Sequence, residues 1–167
     1  MKISGKLDHI DRVRAEWAAE RPELDTSPIE VVARVGRVAR RLDAGMNAVL
    51  AEYGLRRDTF DVLAALRRSG PPYELSPSDL YGRLMRTSGA VTNRLQRLEL
   101  DGLVSRHPDP EDGRGLLVRL TPPGRRLIDR ATEPHLHNER RLLAALSPAE
   151  QRTLAGLLRK LLLSLEG

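Results

Sequence analysis

Asn93, Gln96 and Arg97 fall on one side of the helical pattern that starts at Ser88, opposite Val91, Leu95 and Leu98. Amide and guanidinium groups at that spacing suit the edges of base pairs, because an amide pairs with adenine and a guanidinium with guanine through two hydrogen bonds each. They suit phosphates equally well. Thr87 and Ser88 stand at the expected N-terminus of the same helix, where hydroxyls and free backbone N–H groups match a phosphate oxygen. The competing reading of Asn93 and Arg97 is a solvated helix face.

A second group of polar side chains sits where the pattern asks for apolar ones. Asp61 is the only charge in the run Phe60 to Leu66, and a buried carboxylate needs a partner. Arg94 follows Val91 by three residues and precedes Leu98 by four, which puts its stem at the flank of the inward stripe. The spacing predicts that Asp61 and Arg94 meet between the two helices. Trp17, the single Trp, falls on the inward stripe of an N-terminal helix. A core Trp and a structural ion pair would account for the same residues without any ligand. Of the four His, His135 and His137 are two apart on a predicted helix and share no face, so no metal site is expected.

Composition removes other chemistries. The chain has no Cys, which excludes disulfides, thiol catalysis and thiolate metal sites. It shows neither a nucleophile beside a His nor a Gly-rich phosphate loop, so an enzyme is not expected and no cofactor is implied. No stretch approaches the roughly 18 apolar residues of a membrane span, and Met1 to Glu20 is too charged for a signal peptide. The expectation is a cytoplasmic protein with no membrane partner. The net charge is +5, and from Arg83 to Arg126 there are nine Arg against five acids, so the excess positive charge concentrates around the polar helix face described above.

The elements that must hold these groups follow from caps and breakers. Ile3, Leu7, Ile10, Val13 and Trp17 have helical spacing up to Arg21-Pro22. Ser27, Pro28 and Glu30 form a helix start, and the helix runs to Tyr53 before Gly54. A third helix spans about Arg57 to Ser69 and stops at Gly70-Pro71-Pro72. Ser76 to Asp79 starts a fourth and Thr87-Ser88-Gly89 a fifth, which ends at Gly102. Leu103 to His107 and Gly115 to Leu120 read as strands around a turn rich in Pro, Asp and Gly. Thr121-Pro122 caps a helix reaching about Leu146, and Ser147 to Glu150 is a full capping box for the last one. There Leu154, Leu157, Leu158, Leu161, Leu162 and Leu165 form a stripe that reads as a helical dimer interface. The expected fold is mainly α, a winged helix-turn-helix with a helical dimerisation region. Its parts are 1–55 (N-terminal and first dimerisation helices), 56–120 (the DNA-binding lobe) and 121–167 (the C-terminal dimerisation helices), as one structural unit. In such a fold the second helix of the pair enters a major groove and the hairpin reaches the next minor groove.

The run Thr87-Ser88-Gly89-Ala90-Val91-Thr92-Asn93-Arg94-Leu95, with Arg97-Leu98-Glu99, Gly102-Leu103-Val104 and Asp109-Pro110-Glu111-Asp112-Gly113-Arg114, resembles the recognition helix and wing of the MarR family of bacterial transcriptional regulators. Leu120-Thr121-Pro122-Pro123-Gly124 resembles that family's start of the dimerisation helix. The resemblance implies a homodimer whose first and last helices intertwine on double-stranded operator DNA of two-fold symmetry. It also implies that Arg114 enters the minor groove with Asp112 bracing it, and that Thr87, Ser88, Thr92, Asn93, Gln96 and Arg97 face the DNA. Trp17, Asp61, Arg94 and Arg106 together resemble the urate-responsive branch of the family. There such residues face a small anionic ligand, a urate-like purine or, in a related member, a tricarboxylate, with Arg106 linking pocket and DNA-binding lobe. The implied function is a ligand-responsive repressor; the alternative is a winged-helix DNA-binding or architectural protein without an effector.

Overall fold

The computed structural model describes residues 6–84, 88–110 and 115–167, of which 88–91 are described by backbone alone. The described elements are seven helices, α1 (His9–Glu20), α2 (Ser27–Ala51), α3 (Arg57–Arg68), α4 (Pro77–Leu84), α5 (Ser88–Leu100), α6 (Pro122–Leu142) and α7 (Pro148–Glu166), and three strands, β1 (Glu74–Leu75), β2 (Val104–Pro108) and β3 (Leu116–Leu120). They form two compact units: Met46–Asn138, and Met1–Gly45 with Glu139–Gly167. These boundaries differ from the expected 55/56 and 120/121 because Leu50 of α2 and Ile128 and Ala131 of α6 are buried in the core of the first unit.

That unit is built around α3. Val62, Leu63, Ala65 and Leu66 are fully buried, which is the physical meaning of a helix apolar on nearly every side. Leu80 of α4, Leu95 and Leu98 of α5, and Val104, Val118 and Leu120 of the sheet close around it. Each such side chain contributes roughly 1.5–3 kcal/mol by leaving water. The helix ends are set by glycines in the left-handed region. Gly102 has φ +67° and donates to Glu99 O at 3.0 Å while Leu103 donates to Leu98 O at 2.9 Å; Gly54, φ +68°, ends α2 through the same pair of bonds.

The sheet has the order β1-β3-β2, antiparallel throughout. The hairpin of β2 and β3 pairs Val104 with Leu120 and Pro108 with Leu116. Strand β1 was not expected: two residues, paired as Glu74 with Arg119 and Leu75 with Val118, are too few for an alternating pattern to be visible. The turn into α6 is tight. Thr121 donates from its hydroxyl to Gly102 O at 2.7 Å and from its N–H to Leu103 O at 3.1 Å, and accepts from Gly124 N–H. A Cβ on Gly124 would stand 2.1 Å from the Leu103 carbonyl oxygen, so no other residue fits there without backbone movement.

In the second unit Ile3, the first residue of the expected stripe, lies outside the described residues, and α1 begins at His9. Asp8 is its N-cap and exchanges reciprocal bonds with Asp11, a start signal that the apolar spacing had overrun; Leu7, ahead of the cap, is exposed. Ser27, expected as a cap, is the first residue of α2. The capping box of Ser147 and Glu150 starts α7 as expected. Helix α1 is held to α2 largely by charge: Arg34 Nε lies 2.8 Å from Asp8 Oδ2 and its Nη2 2.6 Å from Asp11 Oδ1, and Arg14 pairs with Glu30. Ile10 is the one buried residue of α1, and α7 has none; Val31, Val32, Val35 and Val38 of α2 and Leu154 to Leu165 of α7 stay exposed in the single chain. Among the described residues, no helix is long and apolar enough to cross a membrane.

Candidate nucleic-acid interface and adjoining cleft

Helix α5 separates two environments. Leu95 and Leu98 are buried under α3, while Thr92, Asn93, Gln96 and Arg97 are exposed on the other side. Thr92 is positioned from α4, its hydroxyl 3.2 Å from Tyr81 Oη. Among the predicted DNA-facing residues, Thr87, Asp112 and Arg114 lie outside the described residues, and of Ser88 only the backbone, at the start of α5, is described. The base of the hairpin is fixed by one carboxylate. Glu74 Oε2 on β1 accepts from Arg119 Nε at 2.7 Å on β3 and lies 3.1 Å from His107 Nε2 on β2, so all three strands meet at a single side chain.

Arg94 occupies the flank of α5, partly buried. The carboxylate that receives its guanidinium is Asp58, with Nε 3.1 Å from Oδ2, one turn ahead of Asp61 on α3. Asp61 is itself half-buried and engaged. The preference for Asp58 has a physical reason: an acid in the first turn of a helix is stabilised by the N-terminal partial charge, which makes this end of α3 the better seat for a carboxylate facing an arginine. Asp58 carried that signal in the sequence, as an acid next to an expected helix start, but the apolar pattern drew attention to Asp61.

The Arg94–Asp58 pair opens on a cleft of about 360 Å³ between the start of α3 and α5, whose other polar walls are Thr59, Asn93, Arg97 and Asp101. Asp58 Oδ1 is buried there without a hydrogen-bond donor among the described residues, and the exposed Arg56 Nε lies 3.9 Å from it. Arg106 is not among the residues of this wall. Arg106 on β2 pairs with Glu99 of α5 at 3.0 Å, and Trp17, expected to point inward, is 44% exposed beside Glu16 and Glu20. One side of α1 is turned inward at Ile10 alone, which leaves the far end of that stripe in solvent. His135 is buried against Phe60, ring centroids 4.5 Å apart; among the described residues no group of His, Asp and Glu is placed to hold a metal ion.

This arrangement matches known proteins. The family model described as "MarR family" matches residues 53–115. The HTH-type transcriptional regulator PecS of Dickeya dadantii is 39% identical over 149 residues, 89% of this chain and 90% of the relative. A crystal structure of a mutant MarR from E. coli complexed with operator DNA superposes with a TM-score of 0.75 at 29% identity, covering 83% of this chain and 99% of that one. A structure of BpsR of Bordetella bronchiseptica, whose DNA binding is regulated by 6-hydroxynicotinic acid, superposes with a TM-score of 0.72 at 29% identity, covering 78% and 91%. A helix-turn-helix lobe with an antiparallel hairpin, a polar outer face on its second helix, and this degree of identity to regulators place the chain in the MarR family of DNA-binding transcriptional regulators.

Proposed function

We propose that this regulator binds a two-fold operator as a homodimer in the cytoplasm, acts as a repressor, and releases DNA when a small organic anion enters the cleft beside α5. The observation that carries the reading is that Asn93 and Arg97 belong both to the exposed face of α5 and to the wall of the cleft that holds Arg94. An anion there competes with Asp58 for Arg94 and draws on the same guanidinium that would meet the DNA. A ligand shifts the population only by its preference for the released state, and a coupling of about 1–3 kcal/mol is typical. The unsatisfied Asp58 Oδ1 favours a ligand that also carries an N–H or O–H donor, as a urate-like purine or a protonated carboxylic acid does.

In this reading Arg94 and Asp61 face the ligand side, Arg106 ties β2 to α5, Asp112 and Arg114 serve minor-groove binding, and Thr87 and Ser88 meet phosphate. Dimerisation rests on the apolar faces that α2 and α7 leave exposed in the single chain. The test is a gel shift on the DNA of its own promoter, titrated with urate, xanthine, citrate and trans-aconitate. Release by one of them at the concentration that quenches Trp17 supports the whole reading; release without any change in Trp17 removes Trp17 from the ligand site. Operator binding that none of these compounds alters favours a winged-helix DNA-binding protein without an effector.

A further inference from the structure

Tyr81 on α4 reaches across to α5, where its Oη lies 3.2 Å from Thr92 Oγ1. The two partners differ in freedom. Leu80, the neighbour of Tyr81, is fully buried and fixes the rotation of α4, and the Tyr81 ring itself packs half-buried against the same core. Thr92 is exposed, one turn ahead of Gln96 on the outer face of α5. A threonine within a helix divides between two χ1 rotamers, because its hydroxyl can also reach a carbonyl of the preceding turn. At 3.2 Å the contact with Tyr81 is long for a pair of hydroxyls, but choosing between two rotamers of similar energy takes little. The substituents on Cβ are fixed relative to one another, so where the hydroxyl is held the methyl group is placed as well.

We propose that Tyr81 is a positioning residue for DNA reading: by holding the Thr92 hydroxyl toward α4 it presents the Thr92 methyl group to the major groove, where Thr92 reads the 5-methyl of one thymine in each half-site. A methyl group has one specific counterpart there, since thymine alone among the four bases carries a methyl at that edge. A hydroxyl left to turn would accept from the amino groups of adenine or cytosine and donate to the oxygens of guanine or thymine alike, and would discriminate poorly. The core-packed ring of Tyr81 thus converts a residue that could bond any base into one that favours a single base. This role rests on α5 meeting DNA through the face that holds Thr92, as proposed above.

The test uses the full chain, without ligand, and duplexes of its own promoter DNA in which each thymine of one half-site is replaced in turn by deoxyuridine, which pairs as thymine does and lacks the methyl group. For the unchanged chain, one position is expected where the replacement weakens binding about fourfold, the worth of one buried methyl group. Thr92→Ser is expected to lose that difference and Thr92→Val to keep it. Tyr81→Phe, which retains the packed ring, is expected to reduce it to about twofold as the two rotamers share the population. Tyr81→Phe/Thr92→Val is expected to restore it, because valine needs no hydroxyl partner to place a methyl group. The salt slope stays the same throughout, since no phosphate contact is touched. A deoxyuridine effect that Tyr81→Phe leaves intact overturns the positioning role, and the absence of any position whose effect depends on Thr92 overturns the proposal as a whole. Thr92→Glu separates that failure from a failure of the DNA-facing assignment: lost operator binding with no Thr92-dependent position leaves the face standing and removes only the methyl contact, whereas retained operator binding removes both.

Discussion

At the scale of single residues, the outer face of α5 makes the sharpest prediction. Arg97 is exposed and has no ion pair among the described residues, so Arg97→Ala leaves the fold intact and, measured without ligand, reports on DNA. If it holds a phosphate, affinity falls evenly across operator variants and the salt slope drops by about one; if it reads a base, the loss is about 1–3 kcal/mol and confined to one position. Affinity unchanged over a salt series would remove Arg97 from the interface. Asp8 makes a second prediction. The Arg34 guanidinium, and next the Asp11 N–H, hold its carboxyl well below the usual range. A carboxyl whose value is lowered on folding stabilises the folded form at all pH values above its unfolded value, and that contribution disappears as pH falls. The docking of α1 is therefore expected to persist from pH 7 to about 5 and to weaken below about 4, read by Trp17 emission. Asp8→Ala should show the weakened signal already at neutral pH. The exposed and inward sides of α5 were legible from spacing alone. The partner of Arg94 was not, because whether a helix offers Asp58 or Asp61 depends on how far its first turn reaches toward α5, and that is set by packing.

Among elements, the join between hairpin and α6 matters most. Gly124 lets α6 start against the Leu103 carbonyl, and Thr121 ties the same corner to the end of α5. Gly124→Ala should cost about 1–3 kcal/mol by overpacking, visible as a lowered Tm, whereas Gly156→Ala, where a Cβ meets nothing, should be neutral or mildly stabilising. Equal Tm values for the two would mean that the corner relaxes freely. Helix order, the glycine ends of α2 and α5, the start of α7 and the two strands of the hairpin could be read in advance, since glycines 54 and 102 and the box at Ser147 and Glu150 act locally. The start of α1 could not, because apolar spacing ran through Asp8, and β1 could not, because a two-residue strand owes its existence to β3.

For the whole molecule, the exposed apolar faces of α2 and α7 are the dominant fact. Seven leucines of α7, from Leu154 to Leu165, are 40% exposed or more in the single chain, with Leu157, Leu161 and Leu165 among them. Placing Glu at Leu157 and Leu161 should abolish association and operator binding together, because a lone chain offers one recognition helix to a two-fold site. Sedimentation showing an intact dimer would move the interface elsewhere. The sheet raises a different matter: what the molecule must avoid in a crowded cell. Its outer strands are a two-residue β1, followed by Ser76 and Pro77, and a β2 that carries Arg106 and His107 and ends on Pro108, which has no N–H to donate. Short, charged and proline-ended edges do not template further strands. A protein that displays so much leucine for its helices to use thus keeps its strands from being recruited into aggregates by the same encounters.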